Sequence, residues 1–562
     1  MAKKRRTSKQ QKKTTKYIFV AGGVMSSVGK GVASASIAKI LQARGFTVTA
    51  MKIDPYVNVD AGNMNPTEHG EVFVLCDGLE CDQDMGSYER FLDINLTRTN
   101  YMTTGSLYLS VISKERNLEY NGRCVHVVPD IPLEVVSNID KAAKQAKADF
   151  VIIEIGGTIG DYQNVLYLEA ARILKFKRPG DVLLTLVSYV PSLGAGGTEL
   201  KTKPTQHAVQ NLNAVGLHPD IILARAGVPL DDKRKEKLEF MCSLEKGSVI
   251  SAPNVTNIYE VPLNFEKDGL GDFILHKLNL LSRKHDLSKW KQFIAKGNGA
   301  TKEFKLAVVG KYFDTGEFVL QDAYISVIEA IKHASYNERV KVTLDWISSL
   351  DVEKRGAADV LKGYHGIVVP GGFGSRGTEG MIQTVQYART KKIPYLGLCY
   401  GMQMATIEFA RHVARIRNAN TAEVDADGPH SVIHIMPDQE KKLLKREYGA
   451  SMRLGAWDCR IMRGTKTEKA YLNAGQVKAT GNATISERHR HRYELNNKYR
   501  ERLVNAGLVI SGTSPDGQLV EIIELKDHPY FIGTQFHPEF KSRPFSPHPL
   551  FAGLIKAIKK LN

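Results

Sequence analysis

The sequence predicts an α/β protein of two domains, the first of which is built on a parallel sheet. Short apolar runs alternate with helix-like segments along both halves of the 562-residue chain, and most of the runs end in a glycine-rich or polar turn. Runs that are apolar along their whole length are typical of strands buried on both faces of a parallel sheet. The chain is long enough for two large domains, each with its own core.

The first half is predicted to alternate strands with helices. A strand over 17–21 enters a glycine-rich loop, a helix follows over 31–44, and a second strand covers 47–53. Three further strands are predicted over 150–155, 182–190 and 221–226. Because ligands of parallel sheets bind at the carboxyl ends of the strands, the residues just after these runs are candidates for a binding site.

A second α/β domain is predicted after a connection over 284–302, whose flexible part is the stretch 296–301. Its strands are predicted over 305–309, 366–369, 393–398 and 530–536. The predicted organisation is therefore a basic tail over 1–16, a first domain over 17–283, the connection over 284–302 and a second domain over 303–562.

The net charge of +17 is concentrated at the N-terminus. Residues 1–16 carry eight lysines and arginines and no acidic residue, a composition typical of a solvated, disordered tail. Contact of this tail with RNA, a membrane or a protein partner is the alternative. The remaining positive excess is modest and suits polyanionic small substrates.

The composition indicates a globular protein of a reducing compartment. Hydrophobic residues make up 43% of the chain and charged residues 24%. A membrane span is not expected, since no run of about 18 apolar residues occurs, and a secretory signal is not expected, since no apolar stretch follows the charged N-terminus. The six cysteines show no CxxC pair and no zinc spacing, so the cytoplasm is the predicted location.

A glycine-rich loop with the sequence GGVMSSVGKG covers residues 22–31, after the first predicted strand. Its glycines let the backbone approach a phosphate, Lys30 supplies positive charge, and a predicted helix follows. The loop departs from the common P-loop because Gly31, not serine or threonine, follows the lysine. A magnesium ion must then find carboxylates elsewhere. The candidates are Asp54, Asp82, Asp84 and Glu154.

Polar residues after other predicted strands indicate a second ligand in the first domain. A glycine-rich turn over 156–160 allows close approach to the backbone, and Asp161 follows it. Lys201 and Lys203 occupy alternate positions, so both face the same way in an extended segment. Two cations on one side suit a triphosphate.

A second reactive centre is predicted in the second half. The sequence GLCYG over 397–401 is the cysteine counterpart of the nucleophile elbow, a strand-to-helix turn where thiolate is favoured. His537 and Glu539 project from the same side of an extended segment, so the histidine can act as base and the glutamate as its orienter. The PGGFG turn over 370–374 offers backbone N–H groups for an oxyanion hole.

These motifs resemble those of two known families. PGGFG, the GLCYGMQ stretch that ends at Gln403, and HPE over 537–539 resemble a class I glutamine amidotransferase domain. In the first half, SSVGKG, MKIDPY, HGEVFV, EIGGTIGD and KTKPTQH resemble the amidoligase domain of CTP synthases. The resemblance covers the chain from Lys16 to the C-terminus and leaves only the basic tail outside it.

The resemblance implies the reaction UTP + ATP + glutamine → CTP + ADP + phosphate + glutamate. ATP with Mg²⁺ would phosphorylate the C4 oxygen of uracil, and ammonia would then displace the phosphate. Ammonia released from glutamine would travel through a channel, which keeps it unprotonated. The family resemblance also implies GTP as an allosteric activator and a homotetramer, with filaments as a further assembly.

The same resemblance implies residue roles in both domains. The glutaminase triad would be Cys399, His537 and Glu539. Glutamine and its oxyanion would be bound by Gly372, Gln403, Glu423 and Arg492. ATP and the reacting uracil would be surrounded by Ser26, Gly29, Lys30, Gly31 and Lys52. UTP, or CTP as feedback inhibitor, would contact Ser26, Asp161, Lys201, Lys203, Gln206 and Lys237. Mg²⁺ would be held by Asp84 and Glu154, and the GTP-responsive segment would contain Arg376 and Glu379.

The chain departs from the family pattern at three positions. Gln163 stands where an acid that senses the pyrimidine nucleotide is usual, and Met241 stands where an aromatic residue is common. Both changes put the strength of CTP inhibition in doubt. Tyr400 replaces the usual leucine after the nucleophile, and its side chain is not expected to enter the chemistry.

Two alternative functions remain open at this point. One is a related glutamine-dependent amidoligase with a different acceptor, against which HGEVFV and KTKPTQH argue. The other is a basic RNA-binding or filament-forming protein with reduced catalysis, which the tail motivates. Turnover with UTP separates the first alternative, and the salt dependence of RNA binding separates the second.

Overall fold

The computed structural model describes residues 14–193, 199–312, 321–436, 439, 441–442, 449–480 and 483–562. All but the last three residues of the predicted basic tail lie outside the described residues. The chain forms two compact units. The first comprises the chain up to Val59 with Thr99–Leu287, and the second comprises Asp60–Arg98 with Ser288–Asn562. Among the described residues, no helix is both long and apolar enough to cross a membrane.

The described strands and helices are numbered in chain order. The strands are β1 (Lys16–Gly22), β2 (Val48–Asp54), β3 (Val72–Val74), β4 (Glu80–Asp82), β5 (Tyr101–Thr103), β6 (Phe150–Ile155), β7 (Val182–Tyr189), β8 (Ser192–Leu193), β9 (Glu199–Leu200), β10 (Ile221–Ala226), β11 (Val249–Pro253), β12 (Lys302–Gly310), β13 (Val340–Ser348), β14 (Gly366–Val369), β15 (Tyr395–Leu398), β16 (Ala419–Thr421), β17 (His430–Ile435), β18 (Arg453–Ile461), β19 (Ala483–His491), β20 (Tyr493–Leu495), β21 (Leu508–Thr513), β22 (Val520–Leu525) and β23 (Phe531–Thr534). The helices are α1 (Lys30–Ala43), α2 (Pro66–His69), α3 (Asp84–Leu92), α4 (Thr104–Arg116), α5 (Val127–Gln145), α6 (Val165–Lys177), α7 (Lys203–Ala214), α8 (Asp232–Met241), α9 (Val261–Lys267), α10 (Leu270–Lys277), α11 (Ser288–Asn298), α12 (Ile325–Asn337), α13 (Ser349–Arg355), α14 (Ala357–Val360), α15 (Thr378–Lys391), α16 (Tyr400–His412), α17 (Lys466–Asn473), α18 (Asn497–Asn505) and α19 (Pro549–Leu561).

The first unit is built on a seven-stranded sheet with the order β11-β10-β7-β1-β6-β2-β5. Every neighbouring pair in it is parallel. Strands β2 and β6 are buried along their whole length, which explains why the sequence of β6 is apolar at every position except Glu154. The charged residues of β2, Lys52 and Asp54, are buried, with Lys52 beside Glu154. The predicted parallel sheet is confirmed, and the strands predicted in this half appear within a few residues of the expected bounds.

Helix α1 is buried on almost every side. Its sequence KGVASASIAKILQA contains four small residues in succession over 33–36, all of them buried. Small side chains let the helix lie close to its neighbours, as expected for a helix enclosed by the layers of a domain. The burial of α1 holds its first residue, Lys30, near the carboxyl end of β1.

The second unit contains a nine-stranded sheet with the order β13-β12-β14-β15-β23-β22-β21-β18-β19. Its strands are parallel from β13 to β23 and antiparallel in the rest of the sheet. The neighbours β15 and β23 pair with Leu398 opposite Thr534. Because both strands run in one direction, the residues that follow them, including Cys399 and His537, emerge at the same edge of the sheet.

Residues Asp60–Arg98 belong to the second unit although they precede it in the sequence. Two buried ion pairs connect this segment to β19. Glu80 lies 2.8 Å from the Nε of Arg490, and Glu89 lies 2.9 Å from the Nη1 of Arg488. The predicted first domain, 17–283, includes this segment. Its place in the second unit could not be predicted, because the paired residues are 410 and 399 positions apart and no local pattern connects them.

Part of the predicted connection is a helix of the second unit. Trp290 and Phe293 of α11 are buried, and the Trp290 ring packs against Phe91 at a centroid distance of 5.2 Å. Burial of these two aromatic side chains stabilises the helix as far as Asn298. The stretch expected to be flexible, 296–301, is therefore helical in its first half.

Candidate functional site

The loop between β1 and α1 lies at the carboxyl end of the central strand of the first unit. Lys30 is 9% exposed, and its Nζ donates to the carbonyl oxygen of Gly157 at 2.8 Å. Gly29 has a φ of 82°, which favours glycine. A Cβ on Gly22 would lie 2.9 Å from the same Gly157 oxygen. The fold thus brings together the two glycine turns predicted to bind ligands, while Ser26 lies exposed in the loop.

Lys52 belongs to a buried charged cluster on β2 and β6. Its Nζ lies 2.9 Å from Glu154 Oε1 and 3.7 Å from Asp54 Oδ1. A Cβ on Gly156 would lie 2.7 Å from the Asp54 carboxylate, so the cluster adjoins the second glycine turn. The pairing explains how an acid such as Glu154 is tolerated inside an apolar strand.

The predicted magnesium ligands lie in different units. Glu154 is in β6 of the first unit, and Asp84 begins α3 of the second, where its N–H donates to Asp82 at 2.8 Å. Within the part of the chain that the structure describes, no group of three or more His, Cys, Asp or Glu side chains could hold a metal ion. Mg²⁺ bound with nucleotide phosphates uses only one or two carboxylates, so the assignment stays a prediction.

Asp161 lies in the turn that follows β6. Its carboxylate accepts a hydrogen bond from the Thr158 N–H at 2.6 Å. The next N–H, of Ile159, donates to the carbonyl oxygen of Gly22 at 3.0 Å. Asp161 is therefore held in a turn that is bonded directly to the phosphate loop.

The segment that begins α7 approaches the same loop. Thr205 is hydrogen-bonded to Ser188 at 3.0 Å, and a Cβ on Gly23 would lie 3.1 Å from the Ser188 hydroxyl. Gln206 is buried and donates to Thr202 at 3.1 Å, whereas Lys203 is exposed. The fold thus places this predicted nucleotide-binding segment beside the glycine loop.

The charges of Lys201 and Lys237 both act on one acid, Glu199. Both lysines lower the pKa of Glu199, chiefly through its hydrogen bond to Lys201. Lys237 is exposed on α8, 36 residues further along the chain than Lys201. Their common effect on Glu199 is a property of the tertiary structure, since no sequence pattern connects them.

A pocket of about 170 Å³ lies beside Gly29, which the sequence patterns did not predict. Its walls include apolar residues of α1, β10 and α9 and the side chain of Arg225. Arg225 donates to the carbonyl oxygens of Ala252 and Pro253 at 3.1 and 3.0 Å, and burial lowers its pKa. A charged residue inside the apolar run 221–226 was the signal that could have indicated this pocket.

Cys399 occupies the sharp turn between β15 and α16. Its φ of 50° and ψ of −98° form a conformation that residues with side chains rarely adopt. Its N–H donates to the Thr534 oxygen at 2.6 Å, and its Sγ lies 3.6 Å from Gln535 Nε2. A strained cysteine at the start of a helix is the geometry of a nucleophile elbow.

His537 and Glu539 form a short, buried pair beside this cysteine. His537 Nδ1 lies 2.6 Å from Glu539 Oε1. A Cβ on Gly371 would lie 2.9 Å from His537 Cε1 and 3.8 Å from the Cβ of Cys399, so both side chains flank Gly371. Burial lowers the pKa of His537, but the Glu539 carboxylate and the Cys399 sulfur outweigh burial and raise it to about 10. The imidazole is therefore protonated at neutral pH.

Three of the four predicted glutamine-binding residues lie in the cavity of the nucleophile or contact residues beside it. Gly372 lines a cavity of about 50 Å³ together with Cys399 and His537. Glu423 accepts a hydrogen bond from the Gly374 N–H at 2.6 Å, in the predicted oxyanion turn. Gln403 reaches the vicinity of the thiol through Gln535, at 3.4 Å.

Arg492, the fourth predicted residue, points to a different group of side chains. It donates to Gln439 at 3.2 Å and to Ser451 at 2.7 Å. The charge of Arg492 still acts on Glu80. Burial raises the pKa of Glu80 above its usual value, and the charges of Arg490 and Arg492 partly offset that rise. The contact of Arg492 with glutamine stays a prediction.

Two buried ionisable residues at this centre had no predicted role. Lys311 follows β12, and burial lowers its pKa to about 8. Glu71, from the HGEVFV motif, lines the Cys399 cavity, and burial raises its pKa to about 8. A lysine directly after an apolar strand was the available signal for Lys311. Glu71 could not be placed from sequence because it lies more than 300 residues before Cys399.

Two family models match the chain. Residues 16–280 match the CTP synthase N-terminus, and residues 319–557 match the class-I glutamine amidotransferase.

Named relatives match almost the whole chain. The CTP synthase of Carboxydothermus hydrogenoformans is 50% identical over 98% of this chain and 99% of its own. The CTP synthase of Caldanaerobacter subterraneus is 48% identical over 97% of this chain and 98% of its own. Among solved structures, the Trypanosoma brucei CTPS glutaminase domain with bound acivicin is 36% identical, covers 46% of this chain and 94% of its own, and has a TM-score of 0.41.

Proposed function

Since the chain belongs to the CTP synthase family, we propose that its two units divide one reaction, with ATP-dependent activation of UTP around Lys30 and Lys52 and ammonia release at Cys399. The overall activity is glutamine-dependent formation of CTP, with ATP as cosubstrate. The parallel pairing of β15 with β23 carries the proposal, because it brings the cysteine and the histidine to one edge of the sheet.

In the glutaminase half, the Cys399 thiolate attacks the side-chain carbonyl of glutamine. The protonated His537 then delivers a proton to the departing nitrogen, so that ammonia leaves and an acyl-enzyme remains. Water, activated by the now neutral His537, attacks the acyl group and releases glutamate. Glu539 keeps the imidazole in orientation and favours its protonated form.

The developing negative charge on the carbonyl oxygen needs donors that are already in place. The N–H of Gly372 and the N–H of Tyr400, the residue after the nucleophile, are the proposed donors. Gln403 and Glu423 hold the glutamine. Arg492 is assigned the same task from the family resemblance, and its contacts with Gln439 and Ser451 must change for it to do so.

In the synthetase half, the uracil O4 attacks the γ-phosphoryl group of ATP, which gives a phosphorylated oxygen and ADP. Ammonia then attacks C4 and phosphate departs, which leaves CTP. Lys30 and Lys52 supply positive charge to the transferring phosphoryl group, and the backbone of Gly29 and Gly31 approaches the phosphates. The pocket beside Gly29 has room for the apolar face of a nucleotide base.

Mg²⁺ is the proposed ion of the synthetase half. Asp84 and Glu154 would hold it through carboxylate oxygens, which are the donors that this ion prefers. When bound, it would neutralise charge on the phosphates of ATP. The burial of Glu154 beside Lys52 supports the assignment, since that carboxylate is fixed in position without the nucleotide.

The pyrimidine nucleotide, UTP as substrate or CTP as inhibitor, is assigned to Ser26, Asp161, Lys201, Lys203, Gln206 and Lys237. The hydrogen bond that ties the Asp161 turn to Gly22, and the bond of Thr205 on α7 to Ser188 beside Gly23, support this assignment. Gln163 and Met241, both exposed, are the positions where we expect CTP inhibition to differ from that of relatives.

Regulation and assembly follow from family membership alone. GTP is proposed as activator through the segment of Arg376 and Glu379, of which Glu379 is paired with Arg411 at 2.8 Å. A homotetramer, able to form filaments, and a cytoplasmic location complete the proposal.

The decisive experiment compares two nitrogen donors. We expect Cys399→Ala to abolish CTP formation from glutamine and to leave CTP formation from added ammonia, followed by the ultraviolet absorbance of CTP. Cys459→Ala is the matched control, because Cys459 is a buried thiol of the same unit on β18. Equal loss of both activities in Cys399→Ala would contradict the assignment, and hydrolysis of glutamine without product from UTP would indicate another acceptor.

A further inference from the structure

The proposed oxyanion hole has two walls, the turn at Cys399 and the glycine turn 370–374, and Tyr400 contributes to both. Its backbone N–H stands at the first position of α16, directly after Cys399, and is the donor on the side of the elbow. Its hydroxyl donates to the carbonyl oxygen of Gly374 at 2.9 Å, in the glycine turn on the opposite side. The same hydroxyl is also hydrogen-bonded to the Thr378 hydroxyl, at 3.0 Å.

The Gly374 peptide depends on such polar contacts. Gly374 has a φ of 81°, and a Cβ built on it would have nothing within 4 Å, so side-chain packing does not fix its position. Its N–H is held by Glu423 at 2.6 Å. Its carbonyl oxygen accepts from both Tyr400 and Lys311.

Tyr400 also holds Lys311 in place. The Lys311 Nζ lies 3.9 Å from the centre of the Tyr400 ring, within the range of a cation–π interaction. Both side chains are almost completely buried, at 1% and 7% exposed. The ring and the hydroxyl thus act on the same carbonyl, one through the lysine and the other directly.

We propose that the Tyr400 side chain is a positioning residue that fixes the distance between the two walls of the oxyanion hole. The inference rests on the proposed glutaminase role of Cys399. A leucine at this position would fill the space but could not connect α16 to the Gly374 carbonyl. The tyrosine hydroxyl therefore acts in the glutaminase step alone and has no part in the amination of UTP.

The test uses Tyr400→Phe, which keeps the ring over Lys311 and removes only the hydroxyl. We expect the kcat of glutamine-dependent synthesis to fall about tenfold, as for loss of one hydrogen bond, with the KM for glutamine unchanged. This is smaller than the 10²- to 10³-fold that follows removal of an oxyanion donor itself. Tyr400→Leu also removes the ring from Lys311, so its kcat for glutamine-dependent synthesis should fall further.

Two measurements and a control variant separate positioning from a general effect on folding. Ammonia-dependent synthesis should be unchanged in both variants. The rate at which iodoacetamide alkylates Cys399, followed on its own peptide by mass spectrometry, should also be unchanged, because alkylation needs no oxyanion hole. Tyr364→Phe is the matched control, since its hydroxyl donates to Asp345 at 2.8 Å, and it should behave as the parent chain.

The proposal is overturned by an unchanged glutamine-dependent kcat in Tyr400→Phe, by equal loss of ammonia-dependent synthesis, or by slower alkylation of Cys399. Cys399→Ala is measured alongside. Glutamine hydrolysis that survives in that variant would refute the proposed function itself, whereas its loss there with full activity in Tyr400→Phe would refute only the role of Tyr400.

Discussion

Replacing Glu539 by glutamine tests the electrostatics of the glutaminase centre most directly. In the parent chain, Glu539 Oε1 lies 2.6 Å from His537 Nδ1. Glu539→Gln keeps the size of the side chain and its place beside the imidazole but removes the negative charge. The carboxylate is the first of the groups that raise the pKa of His537 against the effect of burial. Without it, we expect the buried imidazole to be neutral at pH 7.

The size of the effect follows from the pKa of about 10. A histidine with that pKa when folded and about 6.5 when unfolded contributes about 4 kcal/mol to stability at pH 7. The contribution is fully present below about pH 6.5 and is lost as the pH rises through about 10. Breaking a buried ion pair costs about 3–5 kcal/mol, which agrees. If ammonia leaves the substrate only when His537 is protonated, the kcat of glutamine-dependent synthesis should fall between about 10²- and 10⁴-fold.

The assay compares CTP formation from glutamine and from ammonia, together with urea unfolding at pH 7 and pH 10. Glu487→Gln is the matched control, since Glu487 is bonded to His548 at 3.1 Å in an equally buried pair of the same unit. It should lose stability and keep glutaminase turnover. The reasoning is refuted if Glu539→Gln retains turnover, or if Glu487→Gln loses as much of it.

Two further predictions concern the first unit and the segment Asp60–Arg98. Lys30→Ala should abolish CTP formation from both nitrogen donors, because phosphoryl transfer depends on the charge of this lysine; substantial turnover with ammonia would exclude its role. Glu89→Gln should lower the free energy of unfolding by about 3–5 kcal/mol, since Arg488 and Arg543 would remain buried without their shared carboxylate. Urea unfolding measures this loss, and an unchanged midpoint would contradict it.

The fold class could be predicted because it depends on local patterns. Strands such as β1, β6 and β10 are mostly apolar, with Lys16, Glu154 and Arg225 as their charged residues, and each ends at a turn rich in glycine or polar residues. Burial on both faces of a sheet demands such sequences, so the residue pattern alone is enough to predict the parallel sheet. The elbow at Cys399 is equally predictable, since a strand, two glycines and a helix define it.

The surroundings of each centre could not be predicted in the same way. The charges of Lys201 and Lys237 both act on Glu199, and Glu71 reaches the Cys399 cavity, only because distant parts of the chain fold together. The assignment of Asp60–Arg98 to the second unit depends on buried carboxylates that pair with arginines about 400 residues away. Such pairings have no periodic signature in the sequence.

Tyr400 illustrates the difference within a single residue. Its place after the nucleophile is a property of the sequence, and from it follows the role of its N–H. The function of its hydroxyl depends on where the Gly374 carbonyl lies, 26 residues earlier in the chain. The sequence by itself determined the fold class, the two reactive motifs and the family resemblance, because these depend on residue types in short order. Only the tertiary structure decided which charges and carbonyls meet at each centre, because burial and distance across the fold set their energies.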